Sequence, residues 1–350
     1  MIVMTQINPA RFRRAVLTWY QSHGRKHLPW QQNISPYRVW LSEVMLQQTQ
    51  VSAVKVYFDR FVDRFPNVRL LADAELDAVM GLWSGLGYYS RARNLHRCAQ
   101  EVMQRFDGRF PETAEHLMTL PGIGRSTAAA IAAFCFRQRV SILDGNVKRV
   151  MTRYLGFGED LSRSANERAL WQLATDLLPL DSRFMPGYTQ GLMDLGATVC
   201  KPRQPDCACC PVQLSCAARR SGDVARYPVK TRKLQRKSEA IWLLWARCAT
   251  GQTWLCLRPP KGIWASLYSL PTYSSLEALV GALPATLRGH VSPEPALLHV
   301  LTHRDLHLHP VKVNWTESDL PPGDGDWYAP AQWAPLGLPA PIRQMLAGSS

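Results

Sequence analysis

The fold is decided by one glycine-containing stretch, Leu120-Pro121-Gly122-Ile123-Gly124-Arg125-Ser126, which is followed by an alanine-rich run over residues 127–133. Two glycines around one apolar residue allow a tight turn with positive φ, and this turn opens a helix. The exposed backbone N–H groups at the start of that helix favour a phosphate ligand. Most turns of this kind only connect helices, so the stretch alone predicts a helical hairpin and leaves phosphate binding open.

Helical patterns extend outward from this hairpin, from about residue 34 to residue 218. Apolar residues at three- and four-residue steps place one stripe on a helix that ends before Pro66. The members of the stripe are Val51, Val54, Phe58, Phe61, Val62 and Phe65. The same three- and four-residue spacing of apolar residues recurs over residues 70–83, 91–106 and 126–136. This part of the chain is therefore predicted to be all-α.

Length, composition and charge limit the classes of protein that the chain can represent. Its 350 residues suggest two or three domains, and 46% hydrophobic residues exclude a disordered basic tail protein. The formal net charge of +14 points to nucleic acid or an anionic membrane surface, although many basic proteins bind neither. No apolar run approaches the ~20 residues that span a bilayer, and residues 1–14 hold no apolar core of signal-peptide length. We therefore expect a cytoplasmic protein without a membrane span.

A change of composition over residues 219–237 separates two parts of the chain. The segment holds eight Lys or Arg residues and one Asp, for a net charge of +7. Such a run is normally a solvated linker, and it can also contact phosphates. Strand-like runs follow at 241–246, 253–257 and 311–315. Seven of the twelve tryptophans also lie in this part, so a second domain of mixed α and β structure is predicted.

Five of the nine cysteines lie close together in the sequence. Four of them, Cys200, Cys207, Cys210 and Cys216, have the spacing C-x6-C-x2-C-x5-C, and Cys209 is left over as a possible substitute for Cys210. An odd count with one dense cluster indicates a metal site in a reducing compartment rather than a disulfide framework. Four sulfur ligands select zinc or an iron–sulfur cluster, and ligand type does not decide between them. Because all four positions would be filled, we expect a structural site.

Three features occur in order along the chain: the glycine hairpin, Asp144 twenty residues beyond Gly124, and the cysteine cluster. Taken locally, an acid before a Gly-Asn turn is most often a helix N-cap. The order of the three features nevertheless resembles the endonuclease III superfamily of DNA glycosylases. Residues 41–51 and 85–95 resemble the adenine-excising MutY family of that superfamily almost residue for residue, and recognisable motifs extend from Gly24 to Cys216.

This resemblance implies a multi-domain fold: an all-α helix-hairpin-helix glycosylase domain with an iron–sulfur cluster loop, and a C-terminal α+β Nudix-like domain. It also implies that the four spaced cysteines bind one [4Fe–4S] cluster per chain. The expected domains are a helical catalytic domain at 1–218, a basic connector at 219–237 and a Nudix-like recognition domain at 238–350. The expected parts of the catalytic domain are a six-helix module at about 31–136, with the hairpin near 117–130, and a cluster subdomain made of 1–30 and 137–218.

The resemblance assigns the chemistry to a few polar side chains. Glu43 would be the general acid that protonates the leaving base, because burial in a closed pocket lets a carboxyl group keep its proton near neutral pH. Asp144 would be the ionised carboxylate that stabilises or traps the cationic sugar, and Asn146 would orient that chemistry. Ser126 stands where bifunctional relatives carry the lysine that forms a Schiff base. We therefore expect a monofunctional enzyme that leaves an abasic site.

Other residues match family positions that contact DNA or the excised base. Extruding adenine from the duplex costs a few kcal/mol of unstacking and unpairing, so residues that fill the gap are expected. The residues matching the wedge are Gln48, Leu86 and Tyr88, those of the DNA-binding hairpin are Gly122, Gly124 and Ser126, and those lining the adenine pocket are Arg25, Leu28, Trp30 and Gln190.

The C-terminal part resembles the Nudix-like domain of the same family over residues 258–271. The acidic metal-binding helix of active Nudix hydrolases is not visible in the sequence, since Glu277 and Glu294 stand alone, so we expect recognition rather than hydrolysis. In the family this domain reads 8-oxoguanine through a short Phe-Ser-His motif. The matching stretch here is Leu301-Thr302-His303, in which the hydroxyl and imidazole are kept and Leu replaces Phe.

The leading hypothesis is a monomeric, monofunctional adenine glycosylase of base excision repair. Its substrate would be duplex DNA with adenine opposite 8-oxoguanine or guanine. A pyrimidine-lesion glycosylase and lyase is an alternative, against which Ser126 and the extra domain argue. A non-catalytic iron–sulfur DNA-binding protein is another, against which Glu43 and Asp144 with their motifs argue. The sequence does not identify partners among replication or mismatch-repair proteins.

Overall fold

The computed structural model describes residues 8–231, 235–316 and 318–348, and the chain forms two compact units. The helical unit consists of Met1–Ala72 and Arg97–Lys233, and the sheet unit consists of Asp73–His96 and Leu234–Ser350. The sequence did not suggest that Asp73–His96 joins the C-terminal part of the chain. The domain boundaries expected from the resemblance stay predictions.

Helices account for most of the chain up to residue 220. In chain order they are α1 Pro9–His23, α2 Pro36–Leu46, α3 Val51–Arg64, α4 Val68–Ala72, α5 Leu76–Trp83, α6 Ser90–Phe106, α7 Ala114–Leu117, α8 Arg125–Phe136, α9 Gly145–Leu155, α10 Ser164–Asp176, α11 Met185–Thr198 and α12 Ala217–Arg220. None of the helices in the described parts of the chain is long and apolar enough to cross a bilayer.

Most of the predicted helical runs are confirmed. Helix α3 buries Val54, Phe58 and Phe61 of the predicted stripe, and α6 and α8 occupy the predicted runs at 91–106 and 126–136. The prediction of one helix over residues 70–83 is wrong, because the chain leaves helical geometry between α4 and α5. There the Ala74 carbonyl accepts a hydrogen bond from His96 Nε2 at 2.8 Å instead of one from the next helical turn.

The glycine hairpin is confirmed at the start of α8. Gly122 has a φ of +74°, the left-handed region that favours glycine, and Gly124 is the extended N-cap residue of the helix. Behind it, the alanines of α8 are buried, and Ala129, Ala130 and Ala133 belong to the hydrophobic core of the helical unit. The hairpin is therefore fixed to the core from behind while its two glycines stay exposed.

Helix α11 packs closely against α1 and α9 because it has glycines at the points of contact. A Cβ atom at Gly191 would lie 3.0 Å from the Val16 side chain on α1, and one at Gly196 would lie 2.7 Å from Asn146 Cβ on α9. These close approaches bring the residues of α11 next to the start of α9.

The described residues of the sheet unit contain one mixed sheet of eight strands. The strands are β1 Lys237–Cys248, β2 Thr253–Leu257, β3 Tyr268–Ser269, β4 Thr272–Tyr273, β5 Val291–Pro293, β6 Leu297–Val300, β7 Arg304–Trp315 and β8 Gly325–Tyr328. The main strand order is β3-β2-β1-β7-β5. The helices beyond β4 are α13 Leu276–Gly281, α14 Pro330–Trp333 and α15 Ala340–Ala347. The central pair β1 and β7 is parallel, with Lys237 opposite Arg304. The three predicted strands are confirmed, and β1 and β7 are longer than predicted because polar residues occupy their first halves.

The basic segment at 219–237 is mostly exposed in its described residues, as a linker would be, and it contacts the rest of the helical unit at a few points. Tyr227 is buried, the Val229 carbonyl accepts a hydrogen bond from Leu161 N at 3.0 Å, and the Val224 carbonyl accepts one from Arg153 Nε at 3.2 Å. Residues 232–234 of the segment lie outside the described residues, and Lys237 begins β1.

Candidate active site

Glu43 lies on α2, which begins at Pro36 after the N-cap residue Ser35. The residues on either side of it along the helix, Ser42 and Val44, are buried, and Glu43 itself is half-buried. Burial, together with the negative charge of Asp144, raises the pKa of Glu43 to about 8. The carboxyl group therefore holds a proton at neutral pH, as a general acid requires.

Asp144 is the N-cap residue of α9 and accepts a hydrogen bond from Val147 N at 2.7 Å. The local interpretation as an N-cap is thus confirmed, and it leaves the carboxylate facing the same cleft as Glu43. Burial raises the pKa of Asp144, while hydrogen bonds from Val147 and Asn146 and the positive charge of Arg149 act in the opposite direction. The hydrogen bonds favour the ionised form, which is the form that can stabilise a cationic sugar.

Asn146 is held in place at the start of α9. Its side-chain Oδ1 accepts a hydrogen bond from Arg149 Nη2 at 2.9 Å, and its Cβ lies against Gly196. The same guanidinium donates to the backbone carbonyls of Gly196, at 2.6 Å, and Cys200, at 2.7 Å. Arg149, which the sequence did not single out, therefore fixes the orientation of Asn146.

A cavity of about 340 Å³ opens beside Glu43 in the helical unit. Its lining includes all four residues that the sequence assigned to the adenine pocket: Arg25, Leu28, Trp30 and Gln190. Leu28 and Trp30 are buried, so the walls that they form are apolar and the few polar groups can orient a planar ligand.

An open cleft in the helical unit adjoins this cavity, and Glu43, Arg25 and Met193 line both. The cleft also brings together most of the predicted catalytic and DNA-binding residues of this unit: Gln48, Gly122, Gly124, Ser126, Asp144 and Asn146. Besides Arg25, four further cations line the cleft: Arg125, Lys148, Arg149 and Arg168. A cationic cleft that adjoins a largely apolar cavity is the arrangement that an anionic polymer with one extruded base requires.

One of these cations is stacked on an aromatic ring. The Arg125 guanidinium carbon lies 3.9 Å from the ring centroid of Trp171 on α10, and Lys148 forms an ion pair with Glu167. Such stacking holds a guanidinium flat with its N–H groups free to point outward. The sequence identified the hairpin but neither Trp171 nor Arg168.

Comparison with known proteins agrees with this geometry. Residues 41–175 match the family profile of the HhH-GPD superfamily base excision DNA repair protein, and residues 241–348 match that of the NUDIX domain. The adenine DNA glycosylase of Buchnera aphidicola subsp. Acyrthosiphon pisum (strain APS) is 35% identical over 340 residues, which are 96% of this chain and 96% of that protein. The chain belongs to the adenine DNA glycosylase family.

Further similarities agree with membership of the adenine DNA glycosylase family. The human adenine DNA glycosylase is 40% identical over 264 residues, which are 72% of this chain and 46% of that protein. Among solved structures, a thermostable thymine-DNA glycosylase has a TM-score of 0.55 and 27% identity, covering 61% of this chain and 97% of that one. The predicted fold class and the predicted activity, adenine removal in base excision repair, are confirmed.

The family relationship also indicates an iron–sulfur cluster, and the cysteines of this chain suit one. Cys200, Cys207, Cys210 and Cys216 line one small cavity, and Arg153 Nη1 donates to Cys200 Sγ at 3.3 Å. No three His, Cys, Asp or Glu side chains in the described residues have the geometry of a single-ion site. Four thiols that line one cavity are a donor set that suits an iron–sulfur cluster or zinc.

Cys209 lies apart from this set. Its side chain is exposed, its backbone N donates to Asp206 Oδ1 at 3.4 Å, and it does not line the cavity that the other four cysteines share. The exchange with Cys210 that the sequence left open is therefore not favoured by the structure.

The remaining predicted residues of this adenine DNA glycosylase lie in the sheet unit. Leu86 is buried and Tyr88 is 42% exposed, and the Tyr88 hydroxyl lies 2.7 Å from Thr302 Oγ1, within hydrogen-bonding distance. Thr302 is half-buried and His303 is exposed. The sequence assigned Tyr88 and Thr302 to separate tasks, and the structure joins them by one hydrogen bond.

Proposed function

We propose that this protein hydrolyses the N-glycosidic bond of adenine opposite 8-oxoguanine or guanine in duplex DNA and leaves an abasic site. One observation carries the proposal: Glu43, with a pKa of about 8, lies where a largely apolar cavity meets a cationic cleft that also contains Asp144. An acid that is protonated at neutral pH and a second carboxylate on the same cleft are the two groups that glycosidic hydrolysis needs.

The chemistry follows from these positions. The extruded adenine occupies the cavity, with Arg25 and Gln190 as polar contacts and Leu28 and Trp30 as apolar walls. Glu43 donates its proton to a ring nitrogen of the base, and the electron pair of the C1′–N9 bond leaves with the base. Asp144 stabilises the cationic sugar or bonds to it transiently, and water adds to C1′ while a carboxylate takes its proton.

Ser126 supports hydrolysis without strand cleavage. It lies on the cleft near the start of α8 and is half-buried. The resemblance to the family matches this position to the lysine of bifunctional relatives. A hydroxyl group cannot form the imine that leads to β-elimination. The expected product is therefore an intact strand with an abasic site, and borohydride should trap little enzyme–DNA adduct.

The hairpin, the cations and the wedge residues would hold the DNA. The exposed glycines Gly122 and Gly124 leave backbone N–H groups open to a phosphate, and Arg125 and Lys148 add charge beside them. Gln48 would be a wedge residue of the helical unit, and Leu86 and Tyr88 would be wedge residues of the sheet unit. Thr302 and His303 would contact 8-oxoguanine through a hydroxyl and an imidazole.

The four clustered cysteines would bind a [4Fe–4S] cluster. When bound, this group would supply four strong metal–thiolate bonds that cross-link the loop between Cys200 and Cys216. Arg153 donates to the Cys200 sulfur and to the Lys201 carbonyl, so it holds the start of the same loop. Brown colour with broad visible absorbance in the purified protein would distinguish iron from zinc.

A glycosylase assay with three duplexes tests the proposed function. The purified protein is incubated with A:8-oxoguanine, A:G and A:T duplexes, and the products are resolved with and without alkali. Breaks at adenine that need alkali, in the first two duplexes only, support the proposal. Breaks without alkali at oxidised pyrimidines would indicate a glycosylase with lyase activity, and binding without breaks would indicate a non-catalytic protein.

A further inference from the structure

The loop between α5 and α6 has an unusual backbone. Within residues 85–89, which we call the wedge loop, Gly85, Gly87 and Tyr88 have φ values of +97°, +75° and +50°. A tyrosine in the left-handed region costs on the order of 1 kcal/mol or more, and such a conformation persists only where the surroundings fix it. Leu86 and Tyr88, the proposed wedge residues, are on this loop.

Two sets of contacts fix the wedge loop. From its own flanks, Trp83 Nε1 and Arg91 Nη2 donate to the Gly87 carbonyl, at 3.0 and 3.1 Å. The second set comes from the C-terminal part of the sheet unit. The Tyr89 hydroxyl donates to the Leu338 carbonyl at 3.0 Å, and the Tyr88 hydroxyl is hydrogen-bonded to Thr302 at 2.7 Å. On the N-terminal side of the loop, Ser84 Oγ donates to the same Leu338 carbonyl at 3.2 Å. Both ends of the loop are therefore attached to one carbonyl of the segment before α15.

Arg343 on α15 completes this attachment. Its Nη2 and Nε donate to Ser84 Oγ at 3.1 and 3.3 Å, and the same guanidinium donates to the carbonyls of Ala334, at 2.8 Å, and Leu336, at 2.6 Å. A planar guanidinium that bonds three groups at once fixes them in one relative geometry, which a lysine cannot do. Arg343 thus connects the segment 334–338 to the end of α5.

The backbones at this junction are in direct contact. A Cβ atom at Gly81 on α5 would lie 2.2 Å from the Pro335 carbonyl oxygen, and one at Gly337 would lie 2.9 Å from Met80 Cβ. At both positions only glycine fits without displacing backbone or a short side chain. Tyr268 also donates to Asp77 Oδ2 on α5, at 2.9 Å.

We propose that Arg343, acting through Ser84, is a positioning residue that sets the conformation of the wedge loop. The Nudix-like domain then has two functions. One is the proposed recognition of 8-oxoguanine, and the other is to hold the wedge loop in the conformation that enters the base stack. The inference rests on the proposed function, since Leu86 and Tyr88 act as wedges only if adenine is extruded. It extends that function by assigning control of base extrusion to residues that line neither the proposed adenine cavity nor the cationic cleft.

The test compares three full-length variants with the wild type. Ser84→Ala removes the hydroxyl that joins Arg343 to Leu338. Arg343→Lys keeps the positive charge and loses the planar guanidinium that bonds several groups at once. Arg288→Ala is the control. Arg288 donates to the carbonyls of Leu283 and Gly281 in the same domain, close to it in sequence and outside the wedge loop. Each variant is assayed for single-turnover excision from an A:8-oxoguanine duplex, for fluorescence of 2-aminopurine placed next to the target adenine, and for thermal stability.

The expected result is a roughly tenfold slower single-turnover rate for Ser84→Ala and Arg343→Lys, with a smaller and slower rise in 2-aminopurine fluorescence. Affinity for an undamaged duplex should change less than twofold, and Arg288→Ala should match the wild type. If Ser84 and Arg343 only stabilised the fold, the two substitutions would lower the melting temperature and the active fraction. They would leave the fluorescence change per active molecule unaltered.

Three outcomes would overturn the inference. They are wild-type rates for both variants, slower excision with unchanged unstacking, and equal effects in the Arg288→Ala control. If the wild type itself releases no adenine, the proposed function fails instead, so the two failures are distinguishable.

Discussion

The Asp194 carboxylate accepts three hydrogen bonds from Arg25: from the guanidinium at 2.6 and 2.9 Å and from the backbone N–H at 2.8 Å. The Asp194 side chain is fully buried, and Gln190 Nε2 donates to it as well, at 3.0 Å. Both donors line the cavity next to Glu43. One buried carboxylate therefore orients the two polar contacts of the proposed adenine pocket.

Replacing this carboxylate should weaken both folding and catalysis. In Asp194→Asn, the Arg25 guanidinium loses its anionic partner, and breaking a buried pair costs about 3–5 kcal/mol. We expect a lower free energy of unfolding in urea and a slower single-turnover excision rate for the folded fraction. Asp181→Asn is the matched control, because its pair with Arg183 is exposed and should contribute nothing measurable. Equal effects of the two substitutions would contradict the role of Asp194.

The excision rate should fall at high pH. The pKa of Glu43 is about 8, so above that value the general acid loses its proton and the single-turnover rate should drop about tenfold per pH unit. At acidic pH the rate should fall again as Asp144, whose pKa is raised by burial, takes up a proton. A rate that stays constant from pH 7 to pH 9.5 would rule out Glu43 as the acid.

The raised pKa of Glu43 should also make the free energy of unfolding depend on pH. The unfolded chain releases the Glu43 proton near the ordinary pKa of a glutamic acid, whereas the folded protein keeps it to about pH 8. Between these values the folded state binds one more proton, so stability falls as pH rises. Glu43→Gln should abolish excision and remove this decline, leaving the variant more stable than the wild type at pH 8 and similar to it at pH 4. Denaturant titrations at the two pH values measure the difference.

The cation stacked on Trp171 should contribute to DNA affinity through phosphate contact. Arg125→Ala should weaken binding to specific and non-specific duplexes alike and reduce the slope of log K against log salt concentration by about 0.9. Arg105→Ala, which removes an exposed arginine paired with Glu101 and absent from the cleft lining, should leave the slope unchanged. A specific loss of affinity for the mispair alone would mean that Arg125 reads the base and not the backbone.

The two neighbouring cysteines should behave differently. Cys210→Ser should lower the iron content and visible absorbance, because Cys210 lines the shared cavity, whereas Cys209→Ser should change neither. Metal analysis of both purified variants with a spectrum of each decides the matter. Iron loss in Cys209→Ser with retention in Cys210→Ser would show that the ligand assignment is reversed.

Residues that belong to compact local motifs could be predicted from the sequence. The hairpin at Gly122 and Gly124, the N-cap acid Asp144 and the cysteine spacing each depend on a few consecutive residues, and the structure places them as the motifs require. The four adenine-pocket residues also meet around one cavity, although their sequence positions differ widely. Their roles stay proposals until they are tested.

Residues whose importance depends on distant partners could not be predicted. Asp194 is an isolated acid on an apolar helix, and its partner Arg25 is 169 positions away. Tyr88 and Thr302 are 214 positions apart, and nothing in either local sequence indicates that they bond. The same holds for Asp73–His96, which has ordinary helical periodicity yet belongs to the unit that contains the sheet. Local patterns carry no information about such long-range pairing.

The most direct test of the central claim is analysis by mass spectrometry of the products from an A:8-oxoguanine duplex. The account predicts one free adenine per strand and an unbroken strand that has an aldehyde in place of the base, with the sugar oxygen taken from labelled water. Glu43→Gln should release no adenine while still binding the duplex. A strand broken by β-elimination without alkali, or no release of adenine by the wild type, would contradict it.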